Sequence, residues 1–83
     1  MSERSLVVNG VYRHFKGNLY LVLGTARDSA NPDHKPLVIY QPLYETGDPF
    51  IRSLEEFLSE VDREKHPKAT QKYRFELVED GLK

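Results

Sequence analysis

Val11-Tyr12-Arg13-His14-Phe15-Lys16-Gly17-Asn18-Leu19-Tyr20 places two β-prone runs on either side of Lys16-Gly17-Asn18. Gly and Asn tolerate the positive φ that a tight turn needs, so the stretch reads as strand, turn and strand. The first strand should run from Gly10 to about Phe15. Alternation then puts Val11, Arg13 and Phe15 on one face and Tyr12, His14 and Lys16 on the other. Aromatic and basic residues interleave on both faces, which speaks to architecture more than to chemistry.

Outward from this hairpin, Leu19 to Ala26 is nearly continuous in apolar residues, as expected of a strand covered on both faces or coiled around a core. Gly24 inside it marks a bulge or bend. Arg27 to Pro36 is rich in Asp, Asn, Ser and Pro and reads as a polar, mobile loop. Leu37 to Tyr44 is a third strand, whose end Pro42 confines to a sheet edge or a bulge. Glu45 to Pro49 is a turn and Phe50-Ile51-Arg52 a short fourth strand.

Ser53-Leu54-Glu55-Glu56 matches a capping box, in which the serine hydroxyl accepts from the amide three residues on. Leu54, Phe57, Leu58 and Val61 follow at i, i+3, i+4 and i+7, so the spacing predicts a helix to about Val61 with one apolar stripe. Early glutamates suit the positive end of the helix dipole. Arg63 to Gln71 is a charged connector broken by Pro67. A last strand over Tyr73 to Val78 should turn Tyr73, Phe75 and Leu77 to the core, and the remainder should fray.

The expected fold is therefore mostly β: a small SH3-like, strongly bent antiparallel sheet or partly open barrel of about five strands, with one α-helix between the fourth and fifth. The 83 residues make one domain, with residues 1–9 a flexible arm and 10–78 the barrel. A domain this small often needs a disulfide, a metal or a partner subunit. With no cysteine the first is excluded, and a homodimer stays open as an alternative.

The lack of cysteine also excludes thiolate catalysis and cysteine-bound zinc or iron–sulfur clusters, and it suits a reducing compartment. Residues 1–8 carry no apolar run of signal-peptide length, and no segment approaches a membrane span. A soluble, cytoplasmic protein without membrane association is expected. The formal net charge of −1 hides segregation: +3 over residues 1–27, −6 over 28–62 and +2 over 63–83. Without a dominant basic field, nucleic acid is the less favoured partner.

The segments Tyr12 to Tyr20, Val38 to Tyr44, Phe50 to Phe57 and Arg74-Phe75 together resemble a small bacterial family, the domain of unknown function 1653. The likeness spans about Gly10 to Phe75. It implies a single compact module and transfers no catalytic residue. Two departures stand out. Phe50-Ile51-Arg52-Ser53 stands where the family often has Trp-Val-Arg-Pro, and Asp28-Ser29-Ala30-Asn31 stands where a His-Ser-Glu-Thr run is usual after an Ala-Arg pair. A function that rests on that loop imidazole is not expected here.

Chemistry-bearing patterns are sparse. His14, His34 and His66 lack HxH or HxxxH spacing, so no metal site and no cofactor are expected. His14 reads as a half-exposed strand residue hydrogen-bonded locally. Ser53 is a helix cap and Ser29 a loop residue, which leaves no catalytic triad. Glu55 and Glu56 do not face each other on a helix, and Gly17 stands alone without a phosphate loop.

What remains is a set of aromatics and cations on adjacent strands: Tyr12, Arg13, His14, Lys16, Tyr40, Gln41, Tyr44 and Arg52. Such a surface binds peptides, proteins or small anions, because aromatic faces take rings and Arg grips an anion bidentately. The plain alternative makes the tyrosines barrel wall and pairs Arg13 and Arg52 with Glu76 or Asp48. The functional reading is a binding module rather than an enzyme. Its rivals are a single-stranded nucleic-acid binder on the same surface and a small hydrolase or nucleotide-processing enzyme using His14 with Arg52.

Overall fold

In a computed structural model of the chain, residues 5–33 and 35–79 are described. The first four residues of the expected arm, His34 and the expected frayed tail beyond residue 79 lie outside them. The element order is β1 (Val11–His14), β2 (Leu19–Arg27), β3 (Pro36–Pro42), β4 (Phe50–Ser53), α1 (Leu54–Phe57) and β5 (Phe75–Glu79). The fold is mostly β, as expected. All five strands form one open antiparallel sheet in the order β4-β3-β2-β1-β5, so the last strand returns beside the first.

The β1–β2 hairpin closes on two short bonds, His14 N to Asn18 O at 2.8 Å and Gly17 N to His14 O at 2.7 Å. Gly17 supplies the positive φ, at 109°. In β2 the register slips between Val22 and Gly24, which leaves Leu23 unpaired, so the bulge falls beside the glycine. Pro42 lies past Tyr40, the last residue of β3 that pairs with β4. The missing amide hydrogen therefore falls on a side of β3 with no strand to bond, which is why proline is tolerated.

Register assigns one face of the sheet to Tyr12, Tyr20, Val22, Val38, Tyr40 and Phe75, and these residues form the buried core. Phe57 of α1 covers them. Its ring stacks on Phe75 at 4.1 Å between centroids and meets Tyr12 and Tyr40 edge-on at 5.2 and 5.3 Å. Offset and edge-to-face contacts of this kind add about 0.5–1.5 kcal/mol per pair beyond the burial of area. A core of five large rings and two valines suits a domain too short for a thick aliphatic layer.

Several expectations are corrected. The helix has one turn, not two. Ser53 does cap it, its hydroxyl accepting from Glu56 N at 3.1 Å, but Leu58 leaves helical geometry at φ −90°, ψ 1°. Beyond it Val61 N bonds Lys72 O and Arg74 N bonds Ser59 O, so the chain is drawn into a bridge between Glu60 and Tyr73. The apolar stripe survives without the helix, since Val61 is still buried.

Part of the expected arm is docked. Leu6 and Val7 pack on the core, Asn9 N bonds Val22 O, and Val7 N donates to the Tyr12 hydroxyl at 3.0 Å. Phe15 lies outside β1 and turns to His66. At the other end, Tyr73 precedes β5, and Leu77 is 42% exposed although it shares the inward face. Leu77 lies beside Gly10, at the end of the sheet that α1 does not reach. No helix among the described residues is long and apolar enough to cross a membrane.

Candidate functional site

The eight residues singled out in the sequence separate into two groups once the strands are paired. Tyr12 is core, 1% exposed, with its hydroxyl committed to Val7. Arg13 points to the opposite face from His14 and lies across from Glu76 in the register. Among the described residues no ion pair joins the two, and the Glu76 carboxylate accepts from Tyr73 N at 3.1 Å. Gln41 also faces outward, where its amide donates to Gly47 O at 3.2 Å and pins the turn after β3. Lys16 sits in the hairpin turn with its ammonium 5.9 Å from the Phe15 ring centroid.

The other four, His14, Tyr40, Tyr44 and Arg52, come together. Tyr40 and Arg52 share the inner face of β3 and β4, and Arg52 Nε donates to the Tyr40 hydroxyl at 3.1 Å. Arg52 Nη1 donates to Glu56 one helical turn on, not to Asp48 as the sequence suggested. Capping explains the choice. Ser53 begins the helix directly after Arg52, which brings Glu56 back over it at the i+4 position. The guanidinium also lies 5.7 Å from the centroid of the Phe75 ring.

Around this arginine stands an aromatic wall. Tyr20 meets Tyr40 at 5.4 Å, Tyr44 at 5.7 Å and Phe75 at 5.7 Å between centroids, all edge-to-face. Phe50 packs on Tyr40 at 5.8 Å, and His14 on Phe75 at 4.9 Å. The hydroxyls of Tyr20 and Tyr44 lie 3.3 Å apart, and Tyr44 is 51% exposed. Burial, together with the bond to Tyr44, pushes the Tyr20 phenol up to about 12. It therefore stays neutral at physiological pH.

His14 is half-buried and bonded locally, its Nδ1 accepting from Lys16 N at 3.1 Å. Desolvation, reinforced by the charges of Arg52, Arg74, Lys16 and His66, lowers its pKa to about 4. The imidazole is thus neutral at pH 7, with its proton on Nε2. For Arg52, burial pulls the pKa down, but Tyr40 and Glu56 outweigh it and hold the guanidinium above its ordinary value.

Sequence reading missed Tyr20, Phe50, Phe75 and Arg74 as members of this cluster. Tyr20 and Phe75 lay in runs already explained as core strands, and only their shared inner face brings them beside Arg52. Arg74 follows the bridge that replaced the second helical turn, its Nε 3.4 Å from Ser59 Oγ, and its charge acts on His14.

The profile of the family described as "Protein of unknown function (DUF1653)" matches residues 10–77. This chain belongs to the DUF1653 family. Among solved structures, it is similar to the crystal structure of a DUF1653 protein from Bordetella bronchiseptica, at 31% identity over 90% of this chain and 91% of that one, with a TM-score of 0.69. No curated protein matches the chain. Within this DUF1653 domain the matched segment takes in β1 to β4, α1, the first three residues of β5 and the whole Tyr40–Arg52 cluster.

Proposed function

We propose that this DUF1653 domain is a cytoplasmic bacterial binding module that seats an anionic group of a peptide, protein or small molecule on Arg52. The observation that carries the reading is the state of that guanidinium. It is held by Tyr40 and Glu56, yet its side chain stays 29% exposed. Those two bonds use two of the five donors of a guanidinium. A fixed arginine with unspent donors at the rim of an aromatic wall is preorganised for a carboxylate, because little side-chain entropy is lost on binding. Tyr44 and Phe50 are the exposed rings beside it, and Tyr40 acts as a positioning residue.

The hydrolase reading is weaker. A histidine with a pKa of about 4 is a poor base at neutral pH, and the Nδ1 of His14 is already occupied by Lys16 N. A single-strand binder needs several phosphate-tracking cations along a groove, whereas the feature that carries the present reading is a single guanidinium.

The test uses 15N-labelled protein titrated with N-acetylphenylalanine and, separately, with its uncharged amide. The carboxylate is expected to move the amide resonances of residues 44 and 50–53, and the neutral amide is not. Arg52→Gln should abolish the response while the rest of the spectrum is retained. Equal response to both compounds, or a response that survives in Arg52→Gln, would refute the reading. Oligouridine that bound with steep salt dependence through these residues would replace it with the nucleic-acid alternative.

A further inference from the structure

We propose that the cleft between Phe15 and the loop of residues 62–71 is a second ligand site, which takes a nucleoside monophosphate. Phe15 lies just past β1, anchored by its amide to Arg74 O at 3.0 Å. With Lys65, His66, Pro67, Lys68 and Ala69 it lines a cleft of about 350 Å³. That volume lies at the low end of small-molecule sites, roughly 300–1,000 Å³. It suits one nucleotide.

The loop is built, not slack. Arg63, though exposed, reaches across the loop and donates to Ala69 O at 2.8 Å and Gln71 O at 3.3 Å. His66 N bonds Asp62 O at 2.9 Å, Ala69 N bonds His66 O at 3.1 Å, and Asp62 Oδ1 accepts from Glu64 N at 3.0 Å. Gln71 ties the loop to β1 through Arg13 O at 2.9 Å. Loops closed on their own hydrogen bonds in this way hold a fixed shape at low entropic cost.

This framework spends one cation, Arg63, inside the loop and leaves Lys65 and Lys68 on the rim. Among the described residues no carboxylate lines the cleft, although Asp62 and Glu64 adjoin it in sequence. Its floor is apolar, from Phe15, Pro67 and Ala69. The His66 ring lies 4.7 Å from that of Phe15, and the Lys16 ammonium, outside the cleft lining, lies 5.9 Å from the Phe15 centroid. Two ammonium groups match a phosphate monoester, which carries between one and two negative charges at neutral pH. The histidine and proline faces suit a planar base. A ligand without either half would leave one side of the cleft unmatched.

The experiment titrates 15N-labelled protein with AMP, adenosine, inorganic phosphate and decauridylate. AMP is expected to shift the amides of Phe15 and residues 65–69, and adenosine and phosphate alone should bind at least about tenfold more weakly. Lys65→Gln combined with Lys68→Gln should weaken AMP by a similar factor with the remaining spectrum unchanged, as both side chains are exposed. Arg52→Gln should leave AMP binding intact, which separates this site from the one proposed above. Any of four results would overturn the proposal: no shifts in the cleft at about 10 mM AMP, adenosine binding as well as AMP, an unaffected double variant, or decauridylate binding more tightly than AMP.

Discussion

Arg52 and Tyr40 are diagonal neighbours on β4 and β3. Arg52 pairs in register with Val38 and Tyr40 with Phe50, yet the guanidinium reaches across to the phenol at 3.1 Å. The diagonal reach is what sets Arg52 over the Phe75 ring and beside His14. It fixes a cation at the boundary between core and solvent, with Glu56 as its outer partner.

Tyr40→Phe keeps the ring and removes the acceptor. The loss is expected to cost about 1–2 kcal/mol, because a charged donor loses its partner in a half-buried position. Urea denaturation should show a lower midpoint with an unchanged slope. A variant as stable as the parent would mean that water replaces the phenol at no cost.

His14 makes stability depend on pH. Its folded pKa of about 4 lies below the unfolded value of 6.5, so the unfolded chain binds the extra proton more readily. The stabilisation is whole above pH 6.5 and is lost as the pH falls towards 4. Denaturation midpoints measured across that window should drop for the parent and flatten in His14→Gln. A slope that persists in the variant would assign the acid sensitivity to other groups.

Ser53→Ala removes the side-chain acceptor for Glu56 N. Caps of this kind contribute about 0.5–2 kcal/mol. Here the change also loosens the turn that carries Glu56 to Arg52. A double-mutant cycle with Glu56→Gln should therefore show coupling of about 0.5 kcal/mol or more. Strict additivity would separate the cap from the ion pair.

Gly10→Ala places a Cβ 2.8 Å from Leu77 Cδ1 and 2.9 Å from the carbonyl oxygen of Val7. The leucine end can swing away, but the backbone oxygen cannot. Destabilisation of about 1–3 kcal/mol is expected, by the cost of overpacking. The docked segment around Val7 should also gain faster amide exchange. Unchanged exchange at residues 6–9 would show that the arm adjusts without loss.

The hairpin at Gly17, the bulge beside Gly24, the edge proline and the serine cap were all legible in the chain, because each is a local steric or hydrogen-bonding requirement carried by one or two residue types. The candidate site was half legible. Its residue types could be named, but a period of two cannot say which strand neighbours which. Only pairing parted Arg13 and Gln41 from Tyr40 and Arg52, and only pairing added Tyr20 and Phe75.

Sequence by itself determined that this chain forms a small antiparallel β domain capped by Ser53, since alternation, turn chemistry and capping act within a few residues. Tertiary structure decided where the helix stops and that Leu6 and Val7 dock. Those outcomes depend on competition for hydrogen bonds and buried area between segments far apart in the chain. The bridge from Glu60 to Tyr73 wins over a second helical turn because the strand it joins is already held on the sheet.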